Sequence, residues 1–71
     1  MNYNQGHNLL KEAEKYIKEN NIDAAKEIFD EIYKNDENFL YAVIITESNP
    51  EYSMFSKEFN KLLNEYLINI I

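Results

Sequence analysis

Apolar side chains recur at intervals of three and four residues through two consecutive stretches of this chain, and this spacing constrains the fold more than any other feature. In the first stretch the repeated residues are Leu9, Ala13 and Tyr16, and in the second they are Ala25 and Phe29. Such spacing places apolar side chains on one face of an α-helix. The sequence therefore predicts a hairpin of two amphipathic helices.

Asparagine residues mark the ends of both predicted helices. Asn8 precedes the first apolar stripe and Asn21 precedes the second, so each is predicted to cap a helix by accepting a backbone N–H of its first turn. We expect residues 1–7 to be flexible. The first helix should end near Asn20, because asparagine tolerates the left-handed conformation that a helix end often requires. The polar residues 35–38 then predict a loop or a helix cap.

The second half of the chain is predicted to contribute further helices. Residues 39–46 are mostly apolar and are interpreted as a short helix; a strand is the alternative, although a lone strand has no wide sheet to join. Ser48, Pro50 and Glu51 have the spacing of a capped helix start, and a last helix of roughly 20 residues is expected to follow. The expected fold is a single all-α domain over residues 1–71, with three to four helices: a helical hairpin and a long C-terminal helix.

Residues 6–39 resemble a single tetratricopeptide repeat. The small and large packing positions of that family are occupied here by Leu9, Ala13, Tyr16, Ala25 and Phe29. Three positions depart from the pattern: Glu12 replaces a large apolar residue, Ile32 a small one, and Glu37 a common proline. Arrays of this repeat generally need at least about three copies, and one is visible here. The resemblance implies protein binding and transfers no ligand-contacting residue; an ordinary antiparallel helix pair is the alternative.

Composition restricts the classes of function. Thirteen acidic residues against seven lysines, with no arginine, give a net charge of −6. Direct binding of nucleic acid is therefore not expected, because lysine and arginine supply the phosphate contacts. The chain has no cysteine, which excludes disulfides and thiolate metal sites. No apolar run is long enough to span a membrane, and we expect a cytoplasmic protein.

Residues with catalytic potential are sparse. His7 is the single histidine, and no cysteine or carboxylate at metal-ligand spacing accompanies it, so it is interpreted as a solvent-facing residue. The serines lack the neighbouring base and orienting acid that a nucleophile requires. The sequence therefore predicts no catalytic residue, no metal site and no cofactor.

Two groups of residues are candidates for binding another protein. The first is an acidic face on the second predicted helix, which would attract a basic partner and has an ordinary solvated face as its alternative: Asp23, Glu27, Asp30 and Glu31. The second consists of tyrosine and isoleucine side chains suited to an apolar contact, with burial in the protein's own core as their alternative: Tyr52, Tyr66, Ile68 and Ile71.

These observations predict a small acidic helical protein–protein interaction module or adaptor without catalytic activity. A homodimer through the C-terminal helix is expected, because the apolar chain end presents more surface than one packing face covers. The alternative is a small acidic inhibitor, such as an antitoxin, an immunity protein or a phage anti-defence protein, that blocks a basic nucleic-acid-binding enzyme.

Overall fold

Four helices account for most of the chain in a computed structural model that describes residues 1–70. They are α1 (Tyr3–Lys18), α2 (Ile22–Asn35), α3 (Glu37–Glu47) and α4 (Lys57–Ile70), and no strand occurs within the described range. The predicted all-α class is thus confirmed. None of the described helices is long and apolar enough to cross a membrane.

The first helix begins earlier than predicted. The Asn2 side chain accepts the backbone N–H of Gln5 at 2.9 Å, and the Gln5 side chain accepts the N–H of Asn2 at 3.2 Å. This reciprocal pair satisfies two backbone donors that a helix start leaves free. The prediction that Asn8 caps α1 is therefore wrong, and residues 3–7, expected to be flexible, are helical. Their apolar spacing is too sparse to reveal a helix.

The turn between α1 and α2 follows the prediction. Asn20 has a positive φ of 62°, and the Asn21 side chain accepts the N–H of Ala24 at 3.3 Å at the start of α2. Asp23 lies in the first turn of α2, where the helix dipole favours a negative charge. Because the connection is short, α1 and α2 pack as an antiparallel hairpin.

Residues 39–46 are helical, which confirms the preference for a helix over a strand. α3 begins directly after Asp36, whose carboxylate accepts the N–H of Phe39 at 3.1 Å. Of the loop or cap predicted over residues 35–38, the structure therefore shows the cap, with Asp36 alone between the two helices. α3 is apolar around most of its circumference, yet only Leu40 is fully buried and Ile45 is largely exposed.

The segment after α3 does not start a helix at Ser48. The Ser48 hydroxyl instead donates to the carbonyl of Ile44 at 2.7 Å, at the C-terminal end of α3. The Asn49 side chain accepts the N–H of Glu51 at 3.0 Å. An asparagine that accepts the N–H two residues ahead forms a turn. The capping box predicted at Ser48 and Glu51 is therefore wrong.

The start of α4 is set by Ser56. Its Oγ accepts the N–H of Phe59 at 3.1 Å, which is the hydrogen bond of an N-terminal cap. α4 has 14 residues, fewer than predicted, because the turn and irregular segment over residues 49–56 replace its first part.

Aromatic rings of α2 and α4 form the centre of the core. Phe29 meets Phe59 edge to face at a ring-centroid distance of 5.5 Å, and it lies 5.7 Å from the ring of Tyr66. Such arrangements are favoured by the ring quadrupoles. All four helices contribute buried apolar residues: Leu10, Ala13, Ala25, Ile28, Phe29, Ile32, Leu40, Phe59, Leu62, Leu63, Tyr66 and Leu67. Two faces of this core are left with open depressions, described next.

Candidate protein-binding surface

Side chains that could act in catalysis or metal binding are dispersed over the part of the chain that the structure describes. Within residues 1–70, no group of three or more histidine, aspartate and glutamate side chains could hold a metal ion. His7 is half-buried. Its ring stacks on Tyr3 at 5.5 Å and lies 6.2 Å from Phe55. The prediction that His7 faces solvent is therefore wrong, because the longer α1 packs this residue against the segment that precedes α4.

A groove follows the junction of α1 and α2, and we call it the α1/α2 groove. Its larger section has a volume of about 540 Å³ and its smaller section about 320 Å³, and Glu12 and Glu31 line both. The other residues along it are Met1, Gln5, Asn8, Leu9, Tyr16, Ala24, Glu27, Ile28 and Asn35. No lysine is among these lining residues, although the chain has seven.

The lining of the groove is mixed, with polar and acidic side chains beside apolar ones. Leu9, Tyr16 and Ile28 supply apolar surface to this lining, and each packs on or within the hydrophobic core. The side chains of Glu12 and Glu31 are exposed. Carboxylates on both helices therefore face solvent beside apolar surface, an arrangement that suits an amphipathic cationic ligand.

Two of the four predicted acidic residues, Glu27 and Glu31, line this groove. Asp30 lines an adjoining depression of about 380 Å³, which shares Glu27 and Glu31 with the groove and is also lined by Lys34. Asp23 is exposed but does not line the groove. All four residues of the predicted acidic face are exposed. Glu27 and Glu31 line the groove, Asp30 lines the adjoining depression, and Asp23 lines neither.

Glu12 is the acidic residue of the groove that the sequence pattern did not reveal. Its carboxylate comes from α1, whereas the predicted acidic face lies entirely on α2. The available signal was its position among the apolar residues of the first stripe, where the tetratricopeptide pattern has a large apolar side chain. A charged residue beside an apolar stripe indicates that this part of the helix stays exposed to solvent.

Tyr66 is not a surface residue, and the expectation that it contacts a partner is corrected. Its side chain is 8% exposed, and its hydroxyl donates a hydrogen bond to the Asp30 carboxylate. Burial disfavours the phenolate, and the hydrogen bond together with the negative charge of Asp30 favours the neutral hydroxyl. The pKa of Tyr66 is therefore well above its usual value. The pair joins α2 to α4.

The remaining predicted contact residues lie away from the groove. Tyr52 is 62% exposed in the segment between α3 and α4, and Ile68 is 72% exposed on α4. Ile71 lies outside the described residues. Tyr52 and Ile68 are accessible, and the roles of Tyr52 in partner binding and of Ile68 in self-association stay predictions.

A second depression, which we call the α1/α3 cavity, has a volume of about 260 Å³. Its walls come from α1, α3 and the segment that precedes α4, and most are apolar: Tyr3, His7, Leu10, Phe39, Ala42, Val43, Thr46, Glu47, Met54 and Phe55. Phe39 reaches this position because Gly6 has no side chain. A Cβ at Gly6 would lie 2.6 and 2.8 Å from two ring carbons of Phe39, closer than packed atoms approach.

Comparison with known protein families, with curated proteins and with solved structures finds no match for this chain. The resemblance of residues 6–39 to a tetratricopeptide repeat therefore stays a prediction.

Proposed function

We propose that this protein is a non-catalytic protein-interaction module that binds a basic helical segment of another protein in the α1/α2 groove. The observation that carries the proposal is the charge of the groove: Glu12, Glu27 and Glu31 line its two sections without a lysine, and Lys34 lines the adjoining depression. The cytoplasm is the proposed site of action.

A helix is the proposed occupant because the groove lies between two antiparallel helices. A third helix can place its side-chain ridges into such a groove. Apolar residues on one face of that helix would contact Leu9, Tyr16 and Ile28, while lysine or arginine at its flanks would meet the carboxylates. The net charge of −6 would attract a basic partner over longer range and raise the association rate.

The proposed partner class covers two biological roles. In the first, the module holds a basic segment of an assembly partner. In the second, it inhibits a basic nucleic-acid-binding enzyme, whose cationic surface would engage the same carboxylates. Capture of partners from host lysate, followed by mass spectrometry and an activity assay of any enzyme recovered, distinguishes the two roles.

A synthetic amphipathic helix of leucine and lysine tests the groove directly. Its affinity for the parent is compared with that for the triple variant Glu12→Gln, Glu27→Gln and Glu31→Gln. Exposed ion pairs contribute about 0.2–1 kcal/mol each, so losing three weakens binding by about tenfold at low salt. Raising the ionic strength should reduce this difference, because salt screens exposed charges.

A matched control separates local contacts from net charge. The variant Glu19→Gln, Glu51→Gln and Glu65→Gln removes the same number of charges from exposed positions that do not line the groove. We expect it to slow association slightly while leaving the dissociation rate unchanged. Equal weakening by both triple variants would show that the peptide responds to net charge alone, and would refute the groove as the binding site.

A further inference from the structure

Two carboxylates from different helices bind one short irregular segment, residues 53–56, which we call the strap. Glu47 of α3 accepts the N–H of Met54 at 2.8 Å, the N–H of Phe55 at 3.0 Å and the hydroxyl of Ser53 at 2.8 Å. Glu14 of α1 accepts both the N–H and the hydroxyl of Ser56 at 2.8 Å. Three consecutive backbone N–H groups therefore donate to side-chain carboxylates.

The strap also forms one wall of the α1/α3 cavity. Met54 and Phe55 line this cavity, and the Phe55 ring stacks on Phe59 at a centroid distance of 4.3 Å. Met54 is 61% exposed, so it lies at the edge of the cavity. Removal of the strap would expose the apolar residues beneath it, which include Leu10 and Phe39.

We propose that the strap is a latch at the α1/α3 cavity, and that loss of the Glu47 hydrogen bonds releases residues 53–55 as a unit while Ser56 and the four helices stay in place. Helical hydrogen bonds do not hold the N–H groups of Met54 and Phe55, so these residues can leave while Ser56 continues to cap α4. Proteins open locally in such units when few backbone bonds join a segment to the core. The latch is separate from the α1/α2 groove and independent of its proposed function.

The protonation state of Glu47 couples the latch to pH. Burial alone would raise its pKa, but the hydrogen bonds from Met54, Ser53, Phe55 and Asn60 lower the pKa by more, so it lies below its usual value. A lowered folded-state pKa means that these bonds stabilise the closed strap above the ordinary glutamate pKa and are lost as the pH falls through the lowered one.

Other titratable groups face the same cavity. Tyr3 and His7 line it from α1, and Glu14 binds the end of the strap at Ser56. The Phe55 ring lies against His7. A substitution of Glu47 therefore separates its contribution from the protonation of these neighbours better than a pH titration does.

Amide hydrogen exchange of the full-length chain tests the latch. Glu47→Gln keeps the shape of the side chain but removes the charge and one acceptor oxygen. Hydrogen bonds to charged groups are among the stronger ones, so we expect exchange at Met54 and Phe55 to accelerate by at least about tenfold. Exchange at the core residue Phe29 should stay within about twofold. Glu51→Gln, an exposed residue nearby, is the matched control and should change neither.

Ser53→Ala tests the same latch without altering a carboxylate, and it remains informative if Glu47→Gln reduces folding. It removes a hydroxyl donor to Glu47 and should accelerate exchange at Met54 and Phe55 by a smaller factor. In parallel, the neutral apolar dye Nile red should fluoresce more strongly with Glu47→Gln than with the parent. Strap amides that exchange no faster than in the parent, or only together with the core amides, would overturn the proposal.

Discussion

Replacing Gly6 by alanine places two known effects in opposition. In an open helix interior, alanine is more favourable than glycine by about 1 kcal/mol. Here the added Cβ would lie 2.6 and 2.8 Å from the Cε1 and Cε2 atoms of Phe39, and overpacking of a filled site costs about 1–3 kcal/mol.

The position of Phe39 decides the expected size of the change. Its ring borders the α1/α3 cavity, so it can move aside at a side-chain strain of about 0.5–1.5 kcal/mol plus the loss of some contacts. We therefore expect Gly6→Ala to lower the free energy of unfolding by up to about 2 kcal/mol, instead of raising it by about 1 kcal/mol. The ring is then displaced toward the cavity.

Urea denaturation of a double-mutant cycle measures this coupling. In the Phe39→Ala background the obstacle is absent, so Gly6→Ala should stabilise the protein by about 1 kcal/mol. The coupling energy between the two positions is then about 1–3 kcal/mol. Asn8→Ala, at an exposed position of the same helix, should raise stability slightly in both backgrounds. A Gly6→Ala change that stabilises both backgrounds equally would refute the close approach of α1 and α3.

Three further predictions concern the core and the C-terminal helix. Ala25→Leu should reduce the free energy of unfolding by about 1–3 kcal/mol, because Ala25 is fully buried. Ala24→Leu, at a half-buried position, should have a milder effect. Equal free energies of unfolding for the two variants in urea denaturation would contradict this. As the pH rises above about 10, the parent should lose stability relative to Tyr66→Phe. The raised pKa of Tyr66 keeps its hydroxyl neutral in the folded state, while the same hydroxyl ionises in the unfolded state. Parallel stability profiles of the two proteins against pH would contradict the Tyr66–Asp30 pair. Ile68→Lys should leave the fold intact, because Ile68 is 72% exposed, and should shift the predicted homodimer to monomer in size-exclusion chromatography with light scattering; a monomeric parent would refute the dimer.

Local sequence patterns predicted the structure correctly where a residue's conformation depends only on its neighbours in the chain. The turn at Asn20 and the cap at Asn21 were predicted correctly, because both depend on backbone geometry within a few residues. The buried positions of Ala25 and Phe29 were likewise visible from helical spacing. The helical state of residues 39–46 followed from the lack of a sheet that a strand could join.

The same kind of signal failed where a residue outside the predicted motif forms the hydrogen bond instead. Ser48 and Glu51 have the spacing of a capping box, yet Ser48 closes the preceding helix. Glu47 then binds the N–H groups of Met54 and Phe55, which keeps that segment out of a helix. No local pattern shows that a carboxylate several residues earlier will accept these donors.

The candidate binding groove depended on both the sequence and the tertiary structure. The sequence by itself determined the helical hairpin, the excess of carboxylates and the acidic positions Glu27 and Glu31. Only the tertiary structure placed Glu12 of α1 beside them in one groove and buried Tyr66 against Asp30. Helical periodicity fixes which side chains share a face of one helix, but the faces that meet depend on how all four helices pack around a common core.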